Sequence, residues 1–134
     1  MPLQEKDREK LTDLDLKGFM EAVAAATPLP GGGSVMSYTG ALGVALGTMT
    51  ANLSARKKGW EEKKEEFTGL SGEGYKLQLM LLRMVDEDME VYGRIIGAYR
   101  LPGNTAEEKH IRLKTVRDAF KEATLIQYRI MEAA

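Results

Sequence analysis

Apolar residues return at helical spacing along most of this chain, and the spacing divides it into four stretches. Leu14, Leu16, Phe19, Met20, Val23 and Ala24 lie close to a 3.6-residue period. They predict an amphipathic helix capped by Asp13 or Asp15 and ending near Ala26, before Thr27-Pro28. A second, almost wholly apolar helix is expected from Ser34 to about Ser54, with Ser34 as its N-cap. Residues 56 to 68, RKKGWEEKKEEFT, set charges of both signs three and four apart and predict a solvated helix surface. Trp60 and Phe67, seven apart, share one face of it. The stretch Gly69-Leu-Ser-Gly-Glu-Gly74 predicts a turn or helix break. A long helix follows over Tyr75 to Tyr99, dense in Leu, Met, Val and Ile, and Pro102-Gly103 stops it. Thr105 and Glu108 form a capping box for a last helix from about Ala106 to the end. No alternating run demands a strand. The expected fold is all-α, a helical bundle of about four to five helices with one central uncharged helix.

That uncharged helix belongs to the stretch from Thr27 to Ala55, TPLPGGGSVMSYTGALGVALGTMTANLSA, which holds no charged residue although 29% of the chain is charged. Pro28 and Pro30 favour an extended approach to it. Gly31, Gly32 and Gly33 let another group come close to the main chain. Gly40, Gly43, Gly47 and Ala51 make a stripe of small residues that admits a neighbouring helix at short range. With no fully polar face, this helix is expected to be buried on nearly all sides, in the bundle or at a dimer interface. Two other readings compete. Its length of about 20 residues would fit a membrane span, but Ser37, Tyr38, Thr39, Thr48, Thr50 and Asn52 are spread through it. A glycine turn before a helix N-terminus suits a phosphate, but GGGS lacks the P-loop Lys and no strand precedes it.

Composition narrows the function classes. The 134 residues suit one domain, and a net charge of −1 gives no electrostatic case for nucleic acid. With no cysteine, disulfide and thiolate chemistry are excluded. The lone His110 cannot form a histidine cluster, so no metal site is expected. The first residues, MPLQEKDREK, lack the apolar core of a signal peptide, and residues 1 to 12 are expected to be frayed or a short helical extension. A cytoplasmic protein is the default expectation. The eight methionines suit gap-filling in helical packing.

One residue breaks the apolar pattern. The inward stripe of the long helix runs Leu77, Met80, Leu81, Met84, Val85, then Asp88, then Val91, Tyr92, Ile95 and Tyr99. Asp86 and Glu87 point elsewhere around the axis. A carboxylate on that stripe is costly unless paired or hydrogen-bonded. Burial would raise its pKa, which suits a proton donor or acceptor near neutrality. A structural ion pair with Arg94, Arg100 or a partner helix is the alternative.

Three elements in order resemble one family: Pro28-Leu-Pro-Gly-Gly-Gly-Ser34, Asn52-Leu-Ser followed by Lys57-Lys58, and Asp86-Glu-Asp88 followed by Tyr92 and then Arg100-Leu-Pro102. From about Asp13 to Phe120 the chain is similar to the formiminotransferase-cyclodeaminase C-terminal family. The resemblance implies an all-α fold, a homo-oligomer, commonly a homodimer, and a tetrahydrofolate derivative as substrate with no permanently bound cofactor. It implies either cyclisation of 5-formiminotetrahydrofolate to 5,10-methenyltetrahydrofolate with loss of ammonia, or the methenyltetrahydrofolate cyclohydrolase reaction. An inactive folate-binding or assembly relative is the third expectation. Asp88 is the implied general acid/base, with Asp86 as the fallback. Gly31, Gly32, Gly33 and Ser34 would line the pocket, and Lys57 and Lys58 would meet the folate glutamate tail. The chain reads as a single domain over residues 1 to 134 without the further C-terminal helices of the family pattern. Apolar surface on its first helices is then expected to be covered by association.

Overall fold

The computed structural model describes residues 10–133, so the expectation for the first nine residues lies outside the described residues. A single 3-10 turn, Leu11–Asp13, precedes α1 (Leu16–Ala24). Then come α2 (Gly32–Ala55), a 3-10 turn Glu61–Lys63, α3 (Lys64–Tyr99) and α4 (Ala106–Ala133). The described residues are helical or irregular, with no strand among them. None of their helices is long and apolar enough to cross a membrane.

α2 and α3 run antiparallel. Ser34 meets Val85 and Asp88 at one end, and Ser71 Oγ donates to Asn52 Oδ1 at 2.7 Å near the other. α4 returns along α3 through Arg94–Glu122 at 3.0 Å, Arg129–Glu87 at 3.7 Å and an edge-on Tyr99–Phe120 pair. Both ion pairs are solvent-exposed and contribute about 1 kcal/mol or less each. The core between the three helices is Leu81, Met84 and Val91 of α3, Ala41 of α2, and Ile126 and Ile130 of α4. α1 is held more loosely, by Phe19 against Tyr38 with ring centroids 5.1 Å apart.

The helix ends follow local chemistry. Asp15 caps α1 by accepting from Gly18 N–H at 2.6 Å. Thr105 and Glu108 exchange hydrogen bonds of 3.1 Å at the start of α4, and Asn104 N–H adds a third to Glu108. Between α2 and α3 the chain turns through Gly59, whose φ of 85° favours glycine. Trp60 stacks on Phe67 at 5.5 Å, which anchors the charged stretch.

Three expectations are corrected. Gly69, Gly72 and Gly74 do not break the chain: α3 is continuous for 36 residues, about 54 Å. Each glycine costs about 1 kcal/mol in a helix interior, a cost that close packing on α2 offsets at Gly74 but not at Gly69 or Gly72, where a Cβ would meet nothing. At Gly74 the absent Cβ leaves room for the Thr48 side chain. Ser34 is not the N-cap of α2. The helix starts at Gly32, and Gly31 occupies the cap position without a side-chain bond. Finally, α2 is not buried all round. Met36, Leu42, Leu46, Met49 and Leu53 are each at least half exposed, because α3 and α4 cover only one side of it.

Candidate functional site

Asp88 projects from the apolar stripe of α3 onto the first turn of α2. The opening N–H groups of a helix have no partner within the helix. With no side-chain cap at Gly31, a carboxylate from α3 takes that role. Ser34 N–H donates to Asp88 Oδ2 at 2.9 Å. The Ser34 hydroxyl lies 2.9 Å from Val85 O and 3.1 Å from the same Oδ2. From α4, Gln127 Nε2 donates to Oδ1 at 2.5 Å. Negative charge at a helix N-terminus is favourable by about 0.3–1 kcal/mol, so α2 helps hold the carboxylate in place. Ser34 and Ser37 are fully buried, and the Ser37 hydroxyl donates to Gly33 O at 2.8 Å.

Among the three consecutive glycines, Gly33 carries the packing constraint. A Cβ there would run into Asp88 Oδ1 and Gln127 Nε2, whereas one at Gly32 would meet nothing. The close approach expected of a glycine turn therefore occurs at its last residue, and what approaches is the carboxylate.

A cleft of about 210 Å³ opens beside this group. Its wall is Pro28, Leu29 and Gly31 to Gly33 on one side, and Val91, Tyr92, Ile95, Ala123 and Gln127 on the other, with Asp88 at the junction. The Leu29–Pro30 peptide is cis, and the Thr27 hydroxyl donates to Leu29 O at 2.7 Å. An apolar slot with one carboxylate and a nearby amide can bind a flat, partly polar ring and exchange a proton with it.

The residues singled out by sequence fall into three groups. Gly31, Gly32, Gly33, Ser34 and Asp88 come together, four of them on the cleft wall and Ser34 behind Asp88. Asp88 is half-buried rather than enclosed in the core, because the cleft opens over it. Asp86 lies on another side of α3, where its carboxylate accepts from the Thr12 hydroxyl at 2.7 Å and from Thr12 N–H at 3.4 Å. It ties down the N-terminal segment. Lys57 and Lys58 follow the far end of α2, about 37 Å from Gly32 at 1.5 Å per residue. Lys57 Nζ sits 4.1 Å above the Trp60 ring. Those lysines do not line the cleft. Sequence reasoning missed Gln127. It stands four residues after Ala123 and three before Ile130 on the inward side of α4, the same pattern break that exposed Asp88.

A family model described as formiminotransferase-cyclodeaminase matches residues 15–134. The chain belongs to this family. Within the formiminotransferase-cyclodeaminase family it is 35% identical over 109 residues to a methenyltetrahydrofolate cyclohydrolase of Methylorubrum extorquens, covering 81% of this chain and 52% of that one. It is 27% identical over 124 residues to the formimidoyltransferase-cyclodeaminase of Rattus norvegicus, covering 92% of this chain and 23% of the relative. Its fold is similar to the crystal structure of formiminotetrahydrofolate cyclodeaminase from Thermotoga maritima, with a TM-score of 0.77 and 30% identity over 92% of this chain and 58% of that one. The chain thus spans about half the length of the bacterial relatives it matches.

Proposed function

We propose that the cleft takes the one-carbon end of a tetrahydrofolate derivative and that Asp88 moves the proton in the ring-closing or ring-opening step. The observation that carries this reading is the half-buried Asp88 carboxylate, fixed by Ser34 and Gln127 at the mouth of an apolar slot. In the cyclodeaminase direction the substrate is the 5-formimino group in its protonated amidinium form. N10 adds to the amidinium carbon, and the electron pair of its C–N double bond moves onto the exocyclic nitrogen. Asp88 accepts the proton released by N10 and delivers it to that exocyclic nitrogen. The carbon–nitrogen bond then breaks, ammonia leaves, and the N5 lone pair completes the methenyl cation. Charge and protons balance with Asp88 returned to its starting state. Ser34 N–H and Gln127 hold the carboxylate while it is charged, and the apolar walls limit the approach of water.

The cyclohydrolase reading has its own support in the 35% identity to a relative of that name. There a water adds to the methenyl carbon and Asp88 takes its proton and passes it to N5; the carbon–N5 bond then breaks, and the hydroxyl proton leaves to solvent as the formyl carbonyl forms on N10. Incubation with 5-formiminotetrahydrofolate, followed by an ammonia assay, tests the first reaction. Loss of methenyl absorbance from 5,10-methenyltetrahydrofolate tests the second. Absence of both, in a protein that shows the expected helical spectrum, refutes the proposal.

A further inference from the structure

We propose that Gln127 is a specificity-determining residue of the cleft: with its NH2 end fixed on Asp88, its amide oxygen serves as a second acceptor beside the carboxylate, and the two together select a one-carbon group that carries N–H. The inference rests on the function proposed above and narrows it, favouring the 5-formimino substrate over the methenyl and formyl forms.

The orientation of the amide follows from its partner. A carboxylate only accepts, so Gln127 must present its NH2 end to Asp88 Oδ1, which it does at 2.5 Å, and its oxygen is turned away from that atom. Gln127 Oε1 has no hydrogen-bond partner among the described residues. Gln127 is exposed and stands with Asp88 on the cleft wall. The two oxygens of Asp88 are unlike. Oδ2 is turned to Ser34, which is fully buried behind the cleft. Oδ1 accepts from Gln127 alone, which leaves it lone-pair capacity for a ligand. Gly33 makes the contact possible, since a Cβ there would run into both Oδ1 and Nε2.

Nothing else in the cleft meets these acceptors. Among the described residues no Lys or Arg lines it, and its other polar side chain is Tyr92. Arg94 and Arg129, on the two helices that form the wall, pair with Glu122 and Glu87. A ligand that completes this corner therefore brings both positive charge and N–H. The protonated 5-formimino group has both: one N–H of its terminal nitrogen suits Oδ1 and the other suits Oε1. That arrangement holds the departing nitrogen against the carboxylate that delivers its proton. The 5,10-methenyl group keeps the charge but carries only C–H on its one-carbon unit. A 5-formyl group sets an oxygen against two acceptors and has nothing to donate. A site built to hydrogen-bond an N–H rejects an analogue that lacks it, because the site's own polar groups are left unpaired.

Two dead-end analogues test this without turnover. 5-Formimino-10-deazatetrahydrofolate has carbon in place of N10 and cannot close its ring. 5-Formyl-10-deazatetrahydrofolate differs from it only by an oxygen for the NH2 group. Calorimetric titration of the wild type should show the formimino analogue bound more tightly. Gln127→Met keeps the side-chain length and deletes both amide functions. Because Gln127 is exposed, the helical spectrum of this variant should match the wild type. Its preference for the formimino analogue should be about tenfold smaller, the loss of one hydrogen bond to a charged group. Gln127→Lys keeps a donor for Oδ1 but brings no acceptor, so it should not restore the preference. A wild type that binds both analogues equally, or an unchanged preference in Gln127→Met, overturns the inference and leaves the folate reading in place. Full restoration in Gln127→Lys also overturns it, by showing that Gln127 acts only through its hold on Asp88. Failure of the wild type to bind either analogue overturns the folate reading, and this inference with it.

Discussion

Replacing Gly33 by Ala tests how tightly the first turn of α2 and the Asp88 carboxylate are fitted together. The new Cβ would overlap Asp88 Oδ1 and Gln127 Nε2, so the carboxylate must withdraw or the helix must shift. Withdrawal loosens the bonds from Ser34 N–H, the Ser34 hydroxyl and Gln127. For a half-exposed carboxylate, water replaces part of each bond, so about 1 kcal/mol per bond is a fair loss. Ala recovers up to about 1 kcal/mol of backbone entropy over Gly. The net cost is about 1–3 kcal/mol. Gly32→Ala is the matched control, because its Cβ meets nothing and only the favourable backbone effect of a few tenths to about 1 kcal/mol remains. Urea unfolding at one fixed protein concentration, followed by circular dichroism, gives both midpoints. The expected order is Gly32→Ala at or above the wild type and Gly33→Ala clearly below it. Equal midpoints for the two variants would show that the glycine–carboxylate fit is not what holds this corner.

Other perturbations probe other contacts. Gly72→Ala fills open space in α3 and should stabilise the chain by up to about 1 kcal/mol, whereas Gly74→Ala drives a Cβ into the Thr48 side chain and should not; paired thermal melts compare them. Asp86→Asn should weaken the hold on Thr12 and raise amide exchange over residues 11 to 15 while leaving exchange in the α3–α4 core unchanged. The Gly59 N–H, and then Glu61's own N–H, hold the exposed Glu61 carboxyl below the ordinary glutamate range. A depressed folded-state pKa means that this bond contributes above the unfolded-state pKa and is lost as pH falls through the folded value. The Gly59 amide resonance should therefore titrate at lower pH than an ordinary Glu, and Glu61→Gln should abolish that titration.

Periodicity made the helices legible, because it reports a face that must be covered. Asp15 and the Thr105–Glu108 box were readable as caps because their bonds are local. The continuity of α3 through three glycines was not readable. It depends on contacts with α2 at Thr48 and Asn52, more than 18 residues away in sequence. The same long-range fact misplaced the start of α2, since its cap is a carboxylate from α3 rather than Ser34's own side chain. For the site, a polar residue on an apolar stripe pointed to Asp88, and the same rule would have given Gln127. No pattern along one chain could place Lys57 and Lys58, because their distance from the cleft is set by the length of α2 and by whatever lies against its open face.

The central claim is that Asp88 carries the proton, and Asp88→Asn tests it most directly. Asn keeps the shape and still accepts from Ser34 N–H, and once the Gln127 amide turns over its oxygen accepts from the new Nδ2 in place of the present bond, so helix content and melting temperature should stay close to the wild type. It cannot take up a proton. Turnover of 5-formiminotetrahydrofolate or 5,10-methenyltetrahydrofolate, whichever the wild type uses, should fall at least about a hundredfold. A folded Asp88→Asn variant that turns over at the wild-type rate would contradict the account.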